Sequence, residues 1–409
     1  MTGFLIDCQC PQCGAPATLA EADRLFACGY CRSRSYLIER DGFRYRFEPT
    51  TGAADTDLLY VPYWRFKGML FSCTPSGIQH RFVDMSLQAS PDRHFPVSLG
   101  LRSQALRLAY AMPDTPGRFM PPELDRNEML RRMEGRFRGN IRGPVLHHAE
   151  IGESVSLIYV PYRVNDRIVD AITGQSVSPP LTEAERSRLT GGTAEPGVRF
   201  LSTLCPHCGW DMEGARDARL VTCPNCRSAW VPSSGGFKRM NTALMEADSR
   251  NGVFLPFWRI QAEVDGIALE SYADLVREAN LPRVARPGWD DQPFRFWIPA
   301  FKIRPSAFLR IAQALTLGQP QGKMETGLPE QCPAAVNLPY AEALESLKII
   351  VAGLLRPRSR LTECLPDLRI RPRKILLTYL PFSNRPHEYV QESLSLAVRK
   401  SHLATAGNL

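Results

Sequence analysis

Cys10-Pro-Gln-Cys13-Gly14 is followed, after fourteen residues, by Cys28-Gly-Tyr-Cys31. The same spacing returns as Cys205-Pro-His-Cys208-Gly209, fourteen residues, then Cys223-Pro-Asn-Cys226. A two-residue gap lets one tight turn present two sulfurs to one ion, and zinc takes four thiolates at tetrahedral corners. Gly14, Gly29 and Gly209 stand where such turns need positive φ. Two sets of paired turns predict two zinc ribbons. Catalytic zinc leaves one ligand position open, whereas four cysteines close the shell, so both Zn²⁺ ions are expected to be structural. A redox CxxC motif would come singly, at a helix start within a βαβ unit. Cys8 is a spare thiol beside the first set and a competing ligand. His207 lies between two ligands and would serve only if one were lost. Cys73, Cys332 and Cys364 read as small buried hydrophobes.

Outward from the cysteines, Ser35 to Glu39 and Phe43 to Phe47 read as two strands of a hairpin turning at Asp41-Gly42. A second pattern then recurs: aromatic, aliphatic, Pro, aromatic or small. It occurs as Tyr60-Val-Pro62-Tyr-Trp64-Arg-Phe66, Tyr159-Val-Pro161-Tyr, Phe254-Leu-Pro256-Phe-Trp258-Arg-Ile260, Trp297-Ile-Pro299-Ala and Tyr379-Leu-Pro381-Phe, with a degenerate copy at His94-Phe-Pro96-Val. Pro62 stands 52 positions after Cys10, and Pro256 stands 51 after Cys205. Arg107 and Arg310 each lie eleven positions after a middle-copy proline. The ordered series predicts two homologous halves. Their parts are a zinc ribbon at 1–47, a β-rich module at 48–190, a second ribbon at 196–236 and a second module at 237–409.

Alternate residues Tyr60, Pro62, Trp64 and Phe66 share one strand face. That alternation fits a buried aromatic core on an antiparallel sheet, with an aromatic platform for a ligand or for bases as the competing reading. Proline cannot donate to a ladder, so each copy is expected at a strand start or edge. Helical periodicity marks 101–112, 122–138, 181–189, 305–317, 339–355 and 388–403. Thr182-Glu-Ala-Glu185 matches a capping box. The fold class predicted is α+β, internally duplicated: two zinc ribbons, each heading an antiparallel β module with helices.

The paired cysteine turns followed by repeated Tyr-Val/Leu-Pro-Phe/Tyr-Trp strands resemble a loose group of bacterial zinc-ribbon proteins of unknown function. These often carry a transcription factor IIB-type zinc-ribbon label. In that group the proline strand is commonly followed by a hairpin ending in Asp-x-x-Thr-Gly, as Asp170-Ala-Ile-Thr-Gly174 does here. The resemblance implies no reaction. After Pro381 the chain reads Ser383-Asn-Arg-Pro386, without that ending.

The chain has 409 residues, 44% hydrophobic and 22% charged, with twelve cysteines and formal charge +8. Those values fit a globular protein and not a disulfide scaffold. Met1 to Pro11 lacks the basic start and apolar core of a secretory signal. The longest apolar run, Leu347 to Leu355, carries Lys348, so no membrane span is expected and the setting is a reducing cytoplasm. Phosphate-loop, nucleophile-elbow and HExxH motifs are missing. His147-His148-Ala-Glu150 is the one histidine cluster, and neighbours on a strand face opposite ways. Seven of the fifty basic residues are Lys, an arginine bias that weakens any argument from arginine count. Residues 1–195 carry net +1 and 196–409 net +7. Two basic patches stand out, 126–142 with Arg131 and Arg132, and 356–374 with Arg369, Arg371, Arg373 and Lys374. Either would contact phosphate. The function expected is a non-enzymatic zinc-binding adaptor that contacts other proteins, with the ribbons projecting from the modules. Nucleic-acid binding through the two patches is the competing class, and no small-molecule substrate is indicated.

Overall fold

The computed structural model describes residues 4–39, 42–50, 58–100, 107–138, 141, 143–246, 252–284 and 286–404. Its spine is a pair of long strands, Leu58–Thr74 and His147–Val164. They run antiparallel from Leu58 opposite Arg163 to Cys73 opposite His147, with a bulge between Ile151 and Ser154. Gly77–Gln88 completes a hairpin on the outer side of Leu58–Thr74. All seventeen residues of Leu58–Thr74 are buried. A strand buried on both faces must feed two cores. Leu59, Val61 and Tyr63 pack with Phe43, Tyr45 and Tyr110. Tyr60, Trp64 and Phe66 pack with Phe119 and Leu157 on the other face. Further along, Met69, Phe71 and Cys73 enter a third core that belongs mostly to residues after 220, where the Phe71 ring lies 5.9 Å from that of Phe308.

The first sheet has the spatial order Pro16–Ala20, Leu5–Gln9, Leu108–Tyr110, Phe43–Phe47, His147–Val164, Leu58–Thr74, Gly77–Gln88. The second has Met324–Thr326, Thr242–Met245, Arg369–Asn384, Gly252–Asp265, Phe296–Pro299. Five strands of each sheet follow the same order and the same orientations. The outer pair and the long central pair are antiparallel, the next neighbour is parallel, and the next antiparallel. Both sheets are therefore mixed, which corrects the expectation of antiparallel modules.

The prolines lie inside long strands rather than at their starts. For Pro62, Pro161 and Pro256, the ladder to one antiparallel neighbour ends opposite the residue after the proline: Tyr63 with Gln88, Tyr162 with Asp170, Phe257 with Pro299. The next residue on the partner, Ala89, Ala171 or Ala300, then donates its N–H to the proline carbonyl at 2.9, 3.0 and 3.0 Å. The missing proline N–H thus falls where no partner strand remains to accept it. One turn of the pleat further on, the indole N–H of Trp64 donates to Leu124 C=O at 2.7 Å, and that of Trp258 to Leu338 C=O at 2.9 Å. Pro96 lies outside any strand, and the position that matches Pro299 in register is Gln88, opposite Tyr63.

Several helix expectations also change. Residues 101–106 lie outside the described residues, and Leu108–Tyr110 is a strand whose residues are all buried, so Arg107 and Arg310 do not correspond. Residues 388–403 form strands Glu388–Gln391 and Leu396–Arg399 before a short helix, Lys400–Ala404. Residues 339–355 break at Ser346 into Tyr340–Glu345 and Leu347–Leu354. Helices Arg126–Arg138 and Pro305–Gly318 match, and Thr182 caps Glu183–Arg188 with the reciprocal Glu185 bond. Arg34–Ile38 and Phe43–Phe47 are not a hairpin. The first joins a small three-stranded sheet and the second the large one; of the predicted turn at Asp41-Gly42, residue 41 lies outside the described residues and Gly42 has a φ of +97°. No helix among the described residues is long and apolar enough to cross a membrane.

One buried ion triad ties these parts together. The Arg65 guanidinium donates to Asp84 at 2.9 and 2.8 Å and to Glu21, which stands in the loop after Pro16–Ala20. Replacing one member of such a cluster leaves the others charged and buried, at a cost of about 3–5 kcal/mol. Arg65→Met should lose stability on that scale in urea unfolding. A loss below about 1 kcal/mol would show that Glu21 and Asp84 find water instead.

Candidate metal centres

Cys10 and Cys13 sit in the turn between Leu5–Gln9 and Pro16–Ala20, and Cys28 and Cys31 in the turn between Leu25–Ala27 and Arg34–Ile38. Their sulfurs approach at 3.7 Å (Cys10 with Cys31) and 3.7 Å (Cys13 with Cys28). In the second group the matching distances are 3.7 Å (Cys205 with Cys226) and 3.4 Å (Cys208 with Cys223). Within each group all four sulfurs lie within 4.8 Å of one another. Sulfurs about 2.3 Å from a tetrahedral ion stand about 3.8 Å apart, so both groups fit one ion each. Neither Cys8 nor His207 belongs to either group.

The two turns of each group are built alike. Gly14 and Gly209 have φ of +72° and +74°, and their N–H groups donate to Cys10 C=O and Cys205 C=O at 2.9 Å. The Cys10 and Cys205 N–H groups donate to Ala15 C=O and Trp210 C=O at 2.8 Å. Arg32 and Arg227 take φ of 60° and 50°, a left-handed conformation that costs a non-glycine residue about 1 kcal/mol and that the closing turn imposes. One residue later a serine hydroxyl meets the sulfurs: Ser33 lies 3.0 Å from Cys31 and 3.6 Å from Cys10, and Ser228 lies 2.9 Å from Cys226. Trp230 donates to the Ser228 oxygen at 2.7 Å, which leaves the hydroxyl proton for a thiolate. Sequence reading passed over these serines. Their signal is the shared tripeptide Cys31-Arg32-Ser33 and Cys226-Arg227-Ser228.

Four thiols so close do not all ionise without a cation. Against the desolvation of its site, Cys10 is drawn down to about 6 by the N–H groups of Gln12 and Cys13 and by the Ser33 hydroxyl. Cys13 accepts the Ala15 N–H, yet burial and the other thiols push it up to about 12. In the second group the Trp210 N–H and the Asn225 side chain draw Cys208 down to about 6, while burial and its neighbours push Cys223 up to about 12. A shared dication removes this conflict by favouring every thiolate at once. Cys8, by contrast, is pushed up to about 11 by burial, Asp7 and Cys10, and stays a thiol.

The two cysteine segments do not project separately. Arg199–Ser202 pairs antiparallel with Arg34–Ile38. Tyr36 packs with Cys205, Met212, Val221, Cys223 and Trp230, and its hydroxyl donates to Ala218 C=O at 3.0 Å. Apolar side chains on the cysteine turns nevertheless face outward. Tyr30, between Cys28 and Cys31, is 75% exposed; Trp210, two residues after Cys208, is 58% exposed; Leu204, before Cys205, is 53% exposed.

The basic patches meet carboxylates. Arg131 and Arg132 both pair with Glu128, at 2.7 and 2.9 Å. Arg371 pairs with Asp265 at 2.8 Å and with Glu263, and Arg373 pairs with Glu263, from the neighbouring strand. Arg360 binds Glu278 at 2.6 Å. Arg369 lies opposite Asp265 in the ladder. The Arg136, Arg138 and Arg142 side chains lie outside the described residues. Lys374 alone of the named set lines a cavity with other cations, Arg259 and Arg295. On the long strand, His148 Nδ1 lies 2.9 Å from Ser72 Oγ, and His147 is held down to about 4 by burial, Lys348 and His148. A cavity of about 400 Å³ lies between the strand His147–Val164 and the helices Arg126–Arg138 and Tyr340–Glu345, lined by Arg24, Arg126 and Arg219, by Glu39, Glu150, Glu342 and Glu345, and by one hydroxyl, Ser154.

No protein-family model, curated protein or solved structure matches the chain.

Metal analysis of purified protein should find two ions per chain, and Cys13→Ser or Cys208→Ser should each reduce the count to one. Fewer than one ion in the parent protein would refute the assignment. His147 supplies a separate test. Between pH 6.5 and about 4 the unfolded chain binds a proton that folded His147 refuses, so stability falls as pH falls through that window. His147→Gln should flatten this fall in urea midpoints relative to the parent, and an unchanged slope would refute it.

Proposed function

We propose that the protein is a zinc-stapled scaffold or adaptor, without catalytic activity, that acts through protein–protein contacts in a cytoplasmic assembly. One observation carries this reading: Tyr30, Trp210 and Leu204 stand exposed on turns whose backbone the cysteine groups hold stiff. Aromatic side chains held on a rigid frame lose little entropy on binding and are typical anchors of interfaces. The all-thiolate donor set favours Zn²⁺ over hard cations, and four such ligands leave no position open for a substrate. Eight thiolates against two dications lower the formal charge from +8 to +4.

On the same reading, the chain is one unit written twice, over roughly 1–190 and 196–409, each headed by a zinc ribbon. Three matched features support duplication: the common order of five strands, the ladder-end prolines Pro62 and Pro256, and the tryptophan bonds of Trp64 and Trp258. The ion pairs across both basic patches favour protein over nucleic acid, because phosphate would have to displace carboxylates already seated on Arg131, Arg132, Arg371 and Arg373.

A paired experiment tests this. The parent protein should pass through immobilised heparin at about 50 mM salt, where phosphate contacts are strong. Native pull-downs with the parent and with a Tyr30→Ser, Trp210→Ser variant of equal metal content should then differ by the loss of specific partners from the variant. Identical partner sets, or strong heparin retention, would overturn the adaptor reading.

A further inference from the structure

Arg65 and Arg259 occupy the same place in their sheets. Each follows the tryptophan bonded to a loop carbonyl, and each lies three residues after a ladder-end proline. Arg65 stands opposite Ser86 on its hairpin partner, and Arg259 stands opposite Trp297. Two residues back along those partners come Asp84 in the first sheet and Arg295 in the second. The carboxylate that clasps Arg65 is therefore replaced, at the matching position, by a second cation. Glu21, the other partner of Arg65, has no carboxylate counterpart on Arg259 among the described residues.

What surrounds Arg259 instead is open space with donors facing it. A cavity of about 270 Å³ is lined by Arg259, Arg295, Trp297, Gln319, Gln321 and Met324. A smaller one of about 80 Å³, sharing Arg259 and Arg295, adds Gln261 and Lys374. No carboxylate lines either among the described residues. The Arg259 Nη1 lies 3.0 Å from the Met324 sulfur, a weak acceptor, and its Nε is buried without a partner. The Trp297 indole N–H is likewise buried without a partner, and the Arg259 guanidinium lies 5.6 Å from the Trp297 ring centroid. Arg295 gives one long bond, 3.3 Å, to Pro293 C=O. Burial and then the facing Arg295 draw the Arg259 guanidinium down to about 10, so the site strains against its own charge.

Unpaired buried donors cost about 1–3 kcal/mol each, and more when charged. Folded proteins satisfy such groups with protein, water or ligand, and two guanidinium groups converging on one cavity suit an anion. Guanidinium groups present fork-shaped donor pairs that match tetrahedral oxyanions, and lysine adds a point charge. Three cations without a counterion suit a doubly charged head better than a carboxylate. Gln319 is committed to the protein, its amide donating to Arg295 C=O and Thr316 C=O, while Gln321 spends one amide N–H on Gln319 C=O and keeps the other for an ester or hydroxyl oxygen, and the volume is at the small end for ligand sites. We propose that this cavity binds the phosphate group of a small phosphorylated metabolite, seated between Arg259, Arg295 and Lys374. The proposal does not depend on the adaptor reading or on the cysteine groups.

Inorganic phosphate is the probe, titrated calorimetrically and by thermal melting into the zinc-loaded full chain, with sodium chloride at matched ionic strength as reference. Saturable binding below about 10 mM is expected, with acetate at least about tenfold weaker. Arg295→Asp restores the acid found at the matching position of the first sheet. It should raise the melting temperature in phosphate-free buffer and abolish phosphate binding together. Lys374→Met, at the exposed rim of the strand, should weaken phosphate about tenfold while leaving the phosphate-free melt unchanged. No saturable heat, acetate binding as tightly as phosphate, or equal phosphate response in the parent and Arg295→Asp would overturn the proposal.

Discussion

A proline has no N–H to give a ladder, and three of them stand where antiparallel ladders of these sheets stop. Pro62, Pro161 and Pro256 each stand one residue past the last residue paired to the neighbouring antiparallel strand, with an alanine N–H returned to their carbonyl. Because side chains alternate, this fixes the face of every later residue on the strand. Two positions after Pro62 and Pro256, a tryptophan turns to the face where a loop carbonyl waits. Three positions after, an arginine turns to the opposite face. A slip of one residue would bury the arginine among Phe119 and Leu157 and put the tryptophan against carboxylates, so the register is held by both errors at once.

The cysteine segments solve a different problem. Each is too short to enclose an apolar core of its own, as only a handful of buried side chains surround Tyr36 and Trp230. Four thiolates on one ion would replace that core by a few strong bonds and spare the apolar side chains for other uses. Tyr36 and Trp230 then join the two segments to each other. Tyr30 and Trp210 remain outside. The strand pairing of Arg199–Ser202 with Arg34–Ile38 means that the linked segments form one body, which differs from two independent projections.

Local chemistry was legible and long-range pairing was not. The cysteine groups could be read because ligand spacing is a property of single turns, and the capping box at Thr182 because it spans four residues. The aromatic alternation of Tyr60 to Phe66 correctly indicated burial, although it concealed that both faces are covered. Leu108–Tyr110 was misread because three apolar residues carry too little periodicity to separate helix from strand, and its strand character comes from Phe47 and Ile6 on either side. Residues 388–403 failed for the same reason, since tertiary partners decide short segments. The parallel placement of Phe43–Phe47 beside His147–Val164 joins residues more than a hundred apart, and no local pattern encodes it.

Charge shows the same limit most sharply. Counting along the chain located the positive excess in 356–374, since seven basic residues crowd there. In space that strip lies against Glu263 and Asp265, and exposed pairs of that kind contribute at most about 1 kcal/mol each. Arg259 and Arg295, two half-buried residues that sequence reading left unremarked, have no carboxylate in the cavities they line among the described residues, and Lys374 lies beside them. Energy depends on the medium as well as the sum: two like charges 4 Å apart repel by about 1 kcal/mol in water and about 4 kcal/mol at the effective dielectric near a protein surface. Cations that share a half-buried cavity therefore repel more strongly than the same number spaced along an open edge. The first sheet places the same arginine against two carboxylates and gains stability from it. The second has an arginine at the matching register, a cation in place of one acid and room beside it, so the same strand order holds opposite electrostatics in the two sheets.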